Sequence, residues 1–409
     1  MLWHIINYCE EFFNTFYKIY PVNKMIKANE FLDECLSLGF NFFTGTPCSY
    51  LKPFINYVID HDEFHFVDAV NEGDAIAIAA GVTVAGKRSV VMFQNSGFGN
   101  AVNPLTSLTD TFRIPMMVIV TYRGEPGGHP DEPQHELMGQ ILTDLLDAMK
   151  LKWAFFPNES GQIKNALKEA NDYMLTENKP FIFVMKKDDV NPYELQTKRQ
   201  NNPFRFSIAH KDEFKFAYNE RSTRTDALKS IQTVADDKAV VIATTGKTGR
   251  ELYELDDKEN QLYMVGSMGC ALPFGFGIAF VKPNLHIYII DGDGALLMRT
   301  GSMATVGAYQ PQNLTHILLD NEAHDSTGGQ STVSHNVSFA SIAKGFGYKH
   351  AVSTDGLQTF QQYLSSSELK EGPTFIHFKI KKGSPKTLGR PGVKPYQVKE
   401  RLEKFITSK

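Results

Sequence analysis

The chain has 409 residues, which is enough for two or three domains, each with its own core. Hydrophobic residues make up 42% and charged residues 22%, which is an ordinary globular composition. The net charge of −4 does not indicate binding to nucleic acid or to an anionic membrane. The four cysteines (Cys9, Cys35, Cys48 and Cys270) show no paired spacing, so we expect a cytoplasmic protein without a zinc site.

Residues 1–24 are rich in aromatic side chains, but Glu10, Glu11 and Lys18 interrupt every apolar run. No run approaches the roughly 20 apolar residues that a membrane span needs. The segment also lacks the basic stretch and clean apolar core of a signal peptide. A conventional amphipathic pattern begins only at Met25. We therefore interpret residues 1–24 as an appendage of unknown role, and a short docking helix is the alternative.

Helical and strand patterns alternate over residues 25–190, which is typical of an α/β fold with a mainly parallel sheet. The pattern predicts strands at residues 40–44, 64–70, 89–94, 116–122 and 181–185. It predicts helices at residues 26–38, 72–85, 133–149 and 161–175. We expect these elements to form one domain.

Glu72 lies where the second predicted strand ends and a helix rich in alanine and glycine begins. A glutamate in the first turn of a helix commonly interacts with the helix dipole alone, and that interpretation stays open. The small side chains that follow would let another backbone or another subunit approach closely. Glu72 is therefore a candidate functional residue.

A loop rich in glycine and proline covers residues 127–135, and Arg123 precedes it. Its two histidines, His129 and His135, lack the spacing of metal ligands. Binding residues occur disproportionately on loops, so the segment is either substrate-facing or merely exposed.

The segment 187–222 is polar and irregular, and we place a linker at residues 191–222. Beyond it, the alternation resumes with a predicted helix at residues 223–235. Further strands are predicted at residues 239–244, 263–266, 286–290, 315–319 and 374–380. We therefore expect a second α/β domain at residues 223–409.

The tetrapeptide Thr245-Gly246-Lys247-Thr248 is similar to the end of a nucleotide-binding P-loop. That motif needs a glycine where Val241 stands, so we reject a P-loop. A non-catalytic module that binds a magnesium nucleotide is kept as an alternative function.

Polar residues follow two strands of the second domain at the point where each strand ends. Gly292-Asp293-Gly294 follows one, and Asn321 follows the next. The carboxyl ends of strands are where open α/β sheets bind ligands. Oxygens of Asp293 and Asn321 suit an octahedral Mg²⁺ that also takes phosphate oxygens and water. The glycines let the backbone approach a diphosphate closely, although Gly-Asp-Gly alone is also common in turns.

These motifs resemble the phosphonopyruvate decarboxylase family, a compact two-domain group of thiamine-diphosphate-dependent 2-keto acid decarboxylases. The resemblance covers roughly residues 25–400. It rests on residues 43–49, 71–73, 93–100, 122–125, 265–271, 292–301 and 321–329. It implies two thiamine-diphosphate-binding-fold domains, a pyrimidine-binding domain at residues 25–190 and a diphosphate- and magnesium-binding domain at residues 223–409.

The resemblance implies that thiamine diphosphate and Mg²⁺ are the cofactors. Glu72 then binds the pyrimidine N1′, which favours the imino tautomer whose 4′ nitrogen deprotonates C2. Gly266 accepts from the 4′-amino group, and Met268 holds the cofactor in a bent shape; a core methionine is the alternative interpretation. The site is implied to form between subunits, so a homodimer or higher homo-oligomer is expected.

The resemblance also implies that Asp293, Asn321 and the Ala323 carbonyl hold the metal, beside Gly292 and Gly294. The implied reaction converts 3-phosphonopyruvate to phosphonoacetaldehyde and CO₂, in phosphonate biosynthesis of the 2-aminoethylphosphonate type. Sulfopyruvate decarboxylation is the alternative. His324 is the catalytic candidate after Glu72, and candidates for substrate contacts are Ser49, Asn95, Ser96, Arg123 and Thr327.

Overall fold

Two parallel sheets, each flanked by helices, organise the chain in a computed structural model that describes residues 25–197 and 210–409. The predicted appendage at residues 1–24 lies outside the described residues, and so does the part of the predicted linker at residues 198–209.

The first sheet has the strand order β2-β1-β3-β4-β6-β5, and all its strands are parallel. Its strands are β1 (Phe40–Gly45), β2 (His65–Asp68), β3 (Arg88–Gln94), β4 (Met117–Thr121), β5 (Lys152–Phe155) and β6 (Phe181–Met185). Strands β4 and β6 are buried at every position, as expected where helices cover both faces of a sheet.

Helices of the first domain are α1 (Ala28–Ser37), α2 (Lys52–Asp60), α3 (Glu72–Val84), α4 (Phe98–Pro104), α5 (Asp110–Phe112), α6 (Glu136–Ala148) and α7 (Ser160–Glu177). A π-helical turn at Leu105–Thr109 joins α4 to α5. None of the described helices is long and apolar enough to cross a membrane.

The second sheet has the order β7-β14-β15-β11-β10-β8-β9 and is also parallel throughout. Its strands are β7 (His210–Glu213), β8 (Ala239–Ala243), β9 (Gln261–Tyr263), β10 (His286–Gly292), β11 (Leu314–Asp320), β14 (His350–Thr354) and β15 (Thr374–Lys379). Two short strands, β12 (Ala323–His324) and β13 (Gln330–Ser331), pair separately and antiparallel.

Helices of the second domain are α8 (Arg224–Val234), α9 (Lys247–Leu255), α10 (Ala271–Val281), α11 (Asp293–Met298), α12 (Ser302–Tyr309), α13 (Phe339–Gly345), α14 (Leu357–Ser365) and α15 (Pro395–Thr407). The predicted fold class, two α/β domains with mainly parallel sheets, is confirmed. Strand β7 lies inside the predicted linker and pairs with β14 at the edge of the second sheet. The predicted strand at residues 263–266 is displaced to Gln261–Tyr263, which leaves Gly266 in a loop.

The two domains pack against each other through α3 and α10. A Cβ on Gly81 would lie 1.9 Å from the Phe274 carbonyl oxygen, and a Cβ on Gly277 would lie 2.3 Å from the Ile78 carbonyl oxygen. Only glycine permits so close an approach of two backbones. The small-residue helix behind Glu72 therefore meets the other domain of the same chain.

Candidate active site

A cavity of about 230 Å³ opens at the carboxyl ends of β8, β10 and β11. This is the sheet edge where ligands bind in open α/β folds. The structure brings most of the second-domain candidates together in its wall: Met268, Gly292, Asp293, Gly294, Asn321, Ala323, His324 and Thr327. We refer to it below as the Asp293 cavity.

Asp293 begins α11 directly after β10 and is almost fully buried. Burial raises the pKa of its carboxyl group, which opposes ionisation, whereas a short hydrogen bond from the Thr332 hydroxyl favours the ionised form. The Ser334 hydroxyl, 3.0 Å from that of Thr332, donates to Asp320. A carboxylate held in this way is oriented but not neutralised, and a cation in the cavity would stabilise its charge.

The Asn321 side chain is oriented by residues that sequence reasoning missed. Its Nδ2 donates to Asp325 at 2.7 Å, and Arg224 pairs with Asp325 at 2.7 Å and with Glu251 at 2.7 Å. Burial alone would raise the pKa of Asp325, but hydrogen bonds from Arg224 and the Gly383 amide lower it. Because Nδ2 is engaged, Oδ1 is the amide atom left for a ligand, and it accepts a 3.2 Å bond from the Ala323 amide.

The predicted metal ligands suit a hard cation. The Asp293 carboxylate, the Asn321 amide oxygen and the Ala323 carbonyl form an oxygen-only donor set in one cavity. In the described part of the chain no group of three His, Cys, Asp or Glu side chains could hold a metal. Mg²⁺ suits a site with few protein ligands, because it keeps several waters and takes diphosphate oxygens.

Gly294, Met268 and His324 meet at one side of the Asp293 cavity. A Cβ on Gly294 would lie 2.8 Å from Cε1 of His324 and 3.1 Å from Cε of Met268. His324 is exposed, on the short strand β12. A side chain at position 294 would therefore displace both candidates.

The rejected P-loop tetrapeptide also lines the Asp293 cavity, which sequence reasoning did not foresee. Thr245 and Gly246 lie in the turn between β8 and α9, where Gly246 has a φ of +96°, and Lys247 and Thr248 begin α9. The strand-end position was the available signal, because β8 lies beside β10 in the sheet. Amide groups at the start of a helix favour anions, so the turn suits a diphosphate.

Gly266 lies outside the residues that line the Asp293 cavity. Its amide donates to the Thr245 hydroxyl at 2.9 Å, and a Cβ on it would lie 3.2 Å from Cβ of Ser107 in the first domain. The next residue, Ser267, has a φ of +45°, a strained conformation for a residue with a side chain. Such strain is common where backbone is held against a ligand.

Glu72 also lies outside the Asp293 cavity of its own chain. Its Oε1 accepts from the Thr46 hydroxyl at 3.0 Å, and its Oε2 accepts from Asn100 Nδ2 at 2.8 Å. A Cβ on Gly97 would lie 2.1 Å from Oε1, so only glycine leaves room for the carboxylate. Each oxygen of the Glu72 carboxylate therefore has its own side-chain donor. A glutamate that only interacts with the helix dipole does not need such donors.

The four first-domain substrate candidates lie at the carboxyl edge of the first sheet: Ser49, Asn95, Ser96 and Arg123. Arg123 Nη1 donates to the Ser49 hydroxyl at 3.4 Å, and Asn95 Nδ2 donates to the Arg123 carbonyl at 2.8 Å. Ser96 accepts from Gln94. The remaining candidate, Thr327, belongs to the Asp293 cavity, so the structure separates the candidates into two clusters.

The loop at residues 127–135 is anchored at Arg123. Asp131 accepts from Arg123 through Nε at 2.6 Å and through Nη2 at a shorter distance, and His135 is buried while His129 is exposed. The paired hydrogen bonds hold the pKa of the Asp131 carboxyl well below its usual range. The loop is therefore fixed against the first-domain cluster.

Two family models match the chain. The description "Thiamine pyrophosphate enzyme, N-terminal TPP binding domain" matches residues 27–151, and "Thiamine pyrophosphate enzyme, C-terminal TPP binding domain" matches residues 244–378. The second match includes every residue that lines the Asp293 cavity except Arg224. The first match includes Glu72 and the four first-domain substrate candidates.

Similar proteins match nearly the whole chain. It is 39% identical over 384 residues to the phosphonopyruvate decarboxylase of Streptomyces viridochromogenes, covering 94% of this chain and 96% of the relative. It is 38% identical to that of Streptomyces hygroscopicus, covering 94% of each. The sulfopyruvate decarboxylase of Methanosarcina acetivorans is 24% identical over 96% of this chain and 100% of the relative.

Solved structures share the fold at low identity. Benzoylformate decarboxylase from Polynucleobacter necessarius has a TM-score of 0.68 at 11% identity, covering 88% of this chain and 100% of the other. A thiamin diphosphate-dependent enzyme from Mycobacterium smegmatis has a TM-score of 0.66 at 14% identity, covering 87% and 99%. These likenesses concern the fold alone.

Proposed function

Because this chain belongs to the phosphonopyruvate decarboxylase family of thiamine-diphosphate enzymes, we propose that it decarboxylates 3-phosphonopyruvate to phosphonoacetaldehyde and CO₂. The chain is a thiamine-diphosphate-dependent decarboxylase, and the substrate, Mg²⁺ and a role in phosphonate biosynthesis are the finer parts of the proposal. The observation that carries it is the Asp293 cavity, which combines an oxygen-donor set with the β8–α9 turn and Met268.

Thiamine diphosphate, when bound, supplies the sink for the electrons released as CO₂ leaves. Asp293, Asn321 and the Ala323 carbonyl would hold Mg²⁺, whose charge would compensate that of the diphosphate. The amide groups of the β8–α9 turn would bind diphosphate oxygens. Met268 would pack against the cofactor.

The Glu72 carboxyl group would exchange a proton with the pyrimidine N1′ of the cofactor. Thr46 and Asn100 each donate to one of its oxygens, so the carboxylate is fixed in orientation before the cofactor arrives. His324 lies beside Met268 and Gly294 in the wall of the cavity, and we assign it the exchange of a proton with the substrate.

We propose that Glu72 serves the cofactor held by a second copy of the chain. Support comes from its position outside the Asp293 cavity of its own chain. Apolar side chains close in sequence to Glu72, Gly266 and Asp293 are also exposed: Val70 by 50%, Val265 by 49% and Met298 by 64%. Exposed apolar groups at a functional site are typical of a surface that a partner covers.

The test is the formation of phosphonoacetaldehyde by purified protein with thiamine diphosphate and Mg²⁺. We expect turnover that depends on both cofactors, with a higher kcat/KM for phosphonopyruvate than for sulfopyruvate or pyruvate. Sulfopyruvate decarboxylation remains the second candidate, because a relative with that name matches the full length. A preference for sulfopyruvate would replace the proposed substrate. No turnover of any of the three keto acids would favour the non-catalytic module that binds a magnesium nucleotide.

A further inference from the structure

A second cavity, of about 420 Å³, lies between α9 and the segment at residues 389–395. Among the described residues that line it, Arg250, Arg390 and Lys394 are basic and none is acidic. The other four cavities described have acidic as well as basic residues in their walls. We call this one the basic cavity.

The wall of the basic cavity is held in place by contacts to α9. Arg250 donates Nε to the Gly389 carbonyl at 2.7 Å and Nη2 to the Leu388 carbonyl at 2.9 Å. The Gly389 amide donates to Glu254 at 3.2 Å, and the Gly392 amide donates to the Tyr253 hydroxyl at 3.4 Å. The segment is therefore anchored to α9 on both sides of Arg390.

The three basic side chains of the basic cavity are not balanced by ion pairs among the residues that the structure describes. Within the described part of the chain, none of them lies within ion-pair distance of a carboxylate; the nearby Asp257 pairs with Arg401 at 2.6 Å. By contrast, Arg123, Arg224 and Arg299 around the two clusters are each paired with at least one carboxylate. Three uncompensated cations around one cavity repel one another, and an anion between them would relieve that repulsion.

The basic cavity adjoins the Asp293 cavity. Thr245 and Gly246 line both, and Val265 lines the basic cavity one residue before Gly266. A ligand bound there would therefore lie beside the cofactor.

We propose that the basic cavity binds a dianionic phosphonate or phosphate group, and that in catalysis this group is the phosphonate of the substrate. The inference rests on the proposed function and names the side chains that recognise its substrate. Arginine presents a planar set of donors that matches a tetrahedral oxyanion, and lysine adds a compact charge. A sulfonate has the same shape but one negative charge, so the cavity favours the phosphonate.

The experiment compares Arg390→Gln and Lys394→Gln with Lys386→Gln, a matched control on an exposed residue that lies just before the segment and does not line the cavity. For each variant, kcat and KM are measured with phosphonopyruvate and with pyruvate. Calorimetric titration of the holoenzyme with methylphosphonate, inorganic phosphate and methanesulfonate, above neutral pH, measures anion binding without turnover.

We expect Arg390→Gln and Lys394→Gln each to raise KM for phosphonopyruvate about 10-fold to 100-fold, the effect of losing one charged hydrogen bond. They should weaken methylphosphonate binding similarly and leave kcat/KM for pyruvate and the melting temperature unchanged. Lys386→Gln should behave as wild type, and methanesulfonate should bind more weakly than methylphosphonate to the wild type.

Unchanged KM and unchanged methylphosphonate affinity in both variants would overturn the inference. Weaker phosphate binding with an unchanged KM would retain an anion site but overturn its assignment to the substrate, leaving free phosphate as the ligand. Dissociation of an oligomer without a change in anion affinity would overturn it in favour of a subunit contact. If the wild type fails to decarboxylate phosphonopyruvate, the proposed function fails, while the titrations still decide whether the cavity binds a dianion.

Discussion

At the scale of single residues, the two oxygens of Glu72 accept from Thr46 and Asn100, and this predicts the effect of removing its charge. Glu72→Gln keeps the size of the side chain but cannot exchange a proton at the pyrimidine nitrogen. We expect kcat to fall by ~10²–10⁴-fold while the affinity for thiamine diphosphate stays similar. Steady-state kinetics and cofactor titration measure the two effects. Glu136→Gln, at an exposed glutamate in the first turn of α6, is the control. Near-normal decarboxylation by Glu72→Gln would remove Glu72 from the mechanism.

Asp293 supplies a carboxylate of the proposed metal site, so its loss should weaken the binding of thiamine diphosphate that depends on Mg²⁺. We expect Asp293→Ala to lower the affinity for thiamine diphosphate in the presence of Mg²⁺ by more than ~10-fold. Fluorescence titration with and without Mg²⁺ measures this. Asp237→Ala, at an exposed surface carboxylate, should leave the affinity unchanged. An unaltered Mg²⁺ dependence in Asp293→Ala would contradict the proposed metal site.

Asp189 is buried in the first domain, and burial raises its pKa to about 6 although the Lys186 amide donates to it. The folded state therefore binds this proton more tightly than the unfolded state, whose aspartates titrate near ~3.9. Stability should fall as pH rises from about 4 to about 7, by on the order of 3 kcal/mol from this group. Asp189→Asn should match the wild type near pH ~4 and exceed it near pH ~7 in denaturant unfolding. Asp62→Asn, at an exposed aspartate of the same domain, should show no such divergence.

The residues that sequence reasoning placed correctly in one cavity follow strand ends. Asp293 and Asn321 come together because β10 and β11 are neighbouring parallel strands, so their carboxyl ends meet. Arg224, Asp325 and Thr332 orient those two side chains from distant or irregular segments, and no local pattern marks such a role. Whether the assigned ligand and substrate roles are right stays a prediction.

At the scale of elements, the close approach of α3 and α10 depends on glycines. We expect Gly81→Ala to lower the melting temperature by about 5 °C or more, because its Cβ would overlap the Phe274 carbonyl. Gly161→Ala in α7 is the matched control: no atom lies within 4 Å of its Cβ, so it should be neutral or slightly stabilising. Equal melting temperatures for the two variants would show that the helices separate without cost.

The elements that sequence reasoning predicted are those with a clear apolar pattern. Every predicted strand exists, because runs such as that of β6 are apolar and bounded by polar residues. Helix α10 was missed because it is apolar on all sides and shows no helical periodicity. Strand β7 was missed because an edge strand of His, Lys, Asp and Glu carries no apolar signal.

At the scale of the whole molecule, the separation of Glu72 from the Asp293 cavity predicts complementation between two inactive variants. In a mixed dimer of Glu72→Gln and Asp293→Ala chains, one of the two sites would combine an intact Glu72 with an intact Asp293. We expect random mixing after co-expression to restore about a quarter of wild-type activity, since half the dimers would carry one intact site. A site contained within one chain would give no recovery.

The control for complementation mixes Glu72→Gln with the double variant Glu72→Gln Asp293→Ala, which leaves no intact site in any arrangement. Size-exclusion chromatography establishes that the mixed species forms. Recovery in the first mixture and none in the second would support a site shared between protomers.

The glycine contact between α3 and α10 has a consequence for communication within the proposed dimer. Glu72 begins α3, and the loop that carries Met268 leads into α10. If the two ends serve different cofactors, this tightly packed helix pair is a rigid link from one catalytic centre to the other. If cofactor binding at one centre orders the loop before α10, it should also restrict the start of α3, which contributes to the other centre. The two centres would then bind the cofactor with unequal affinity.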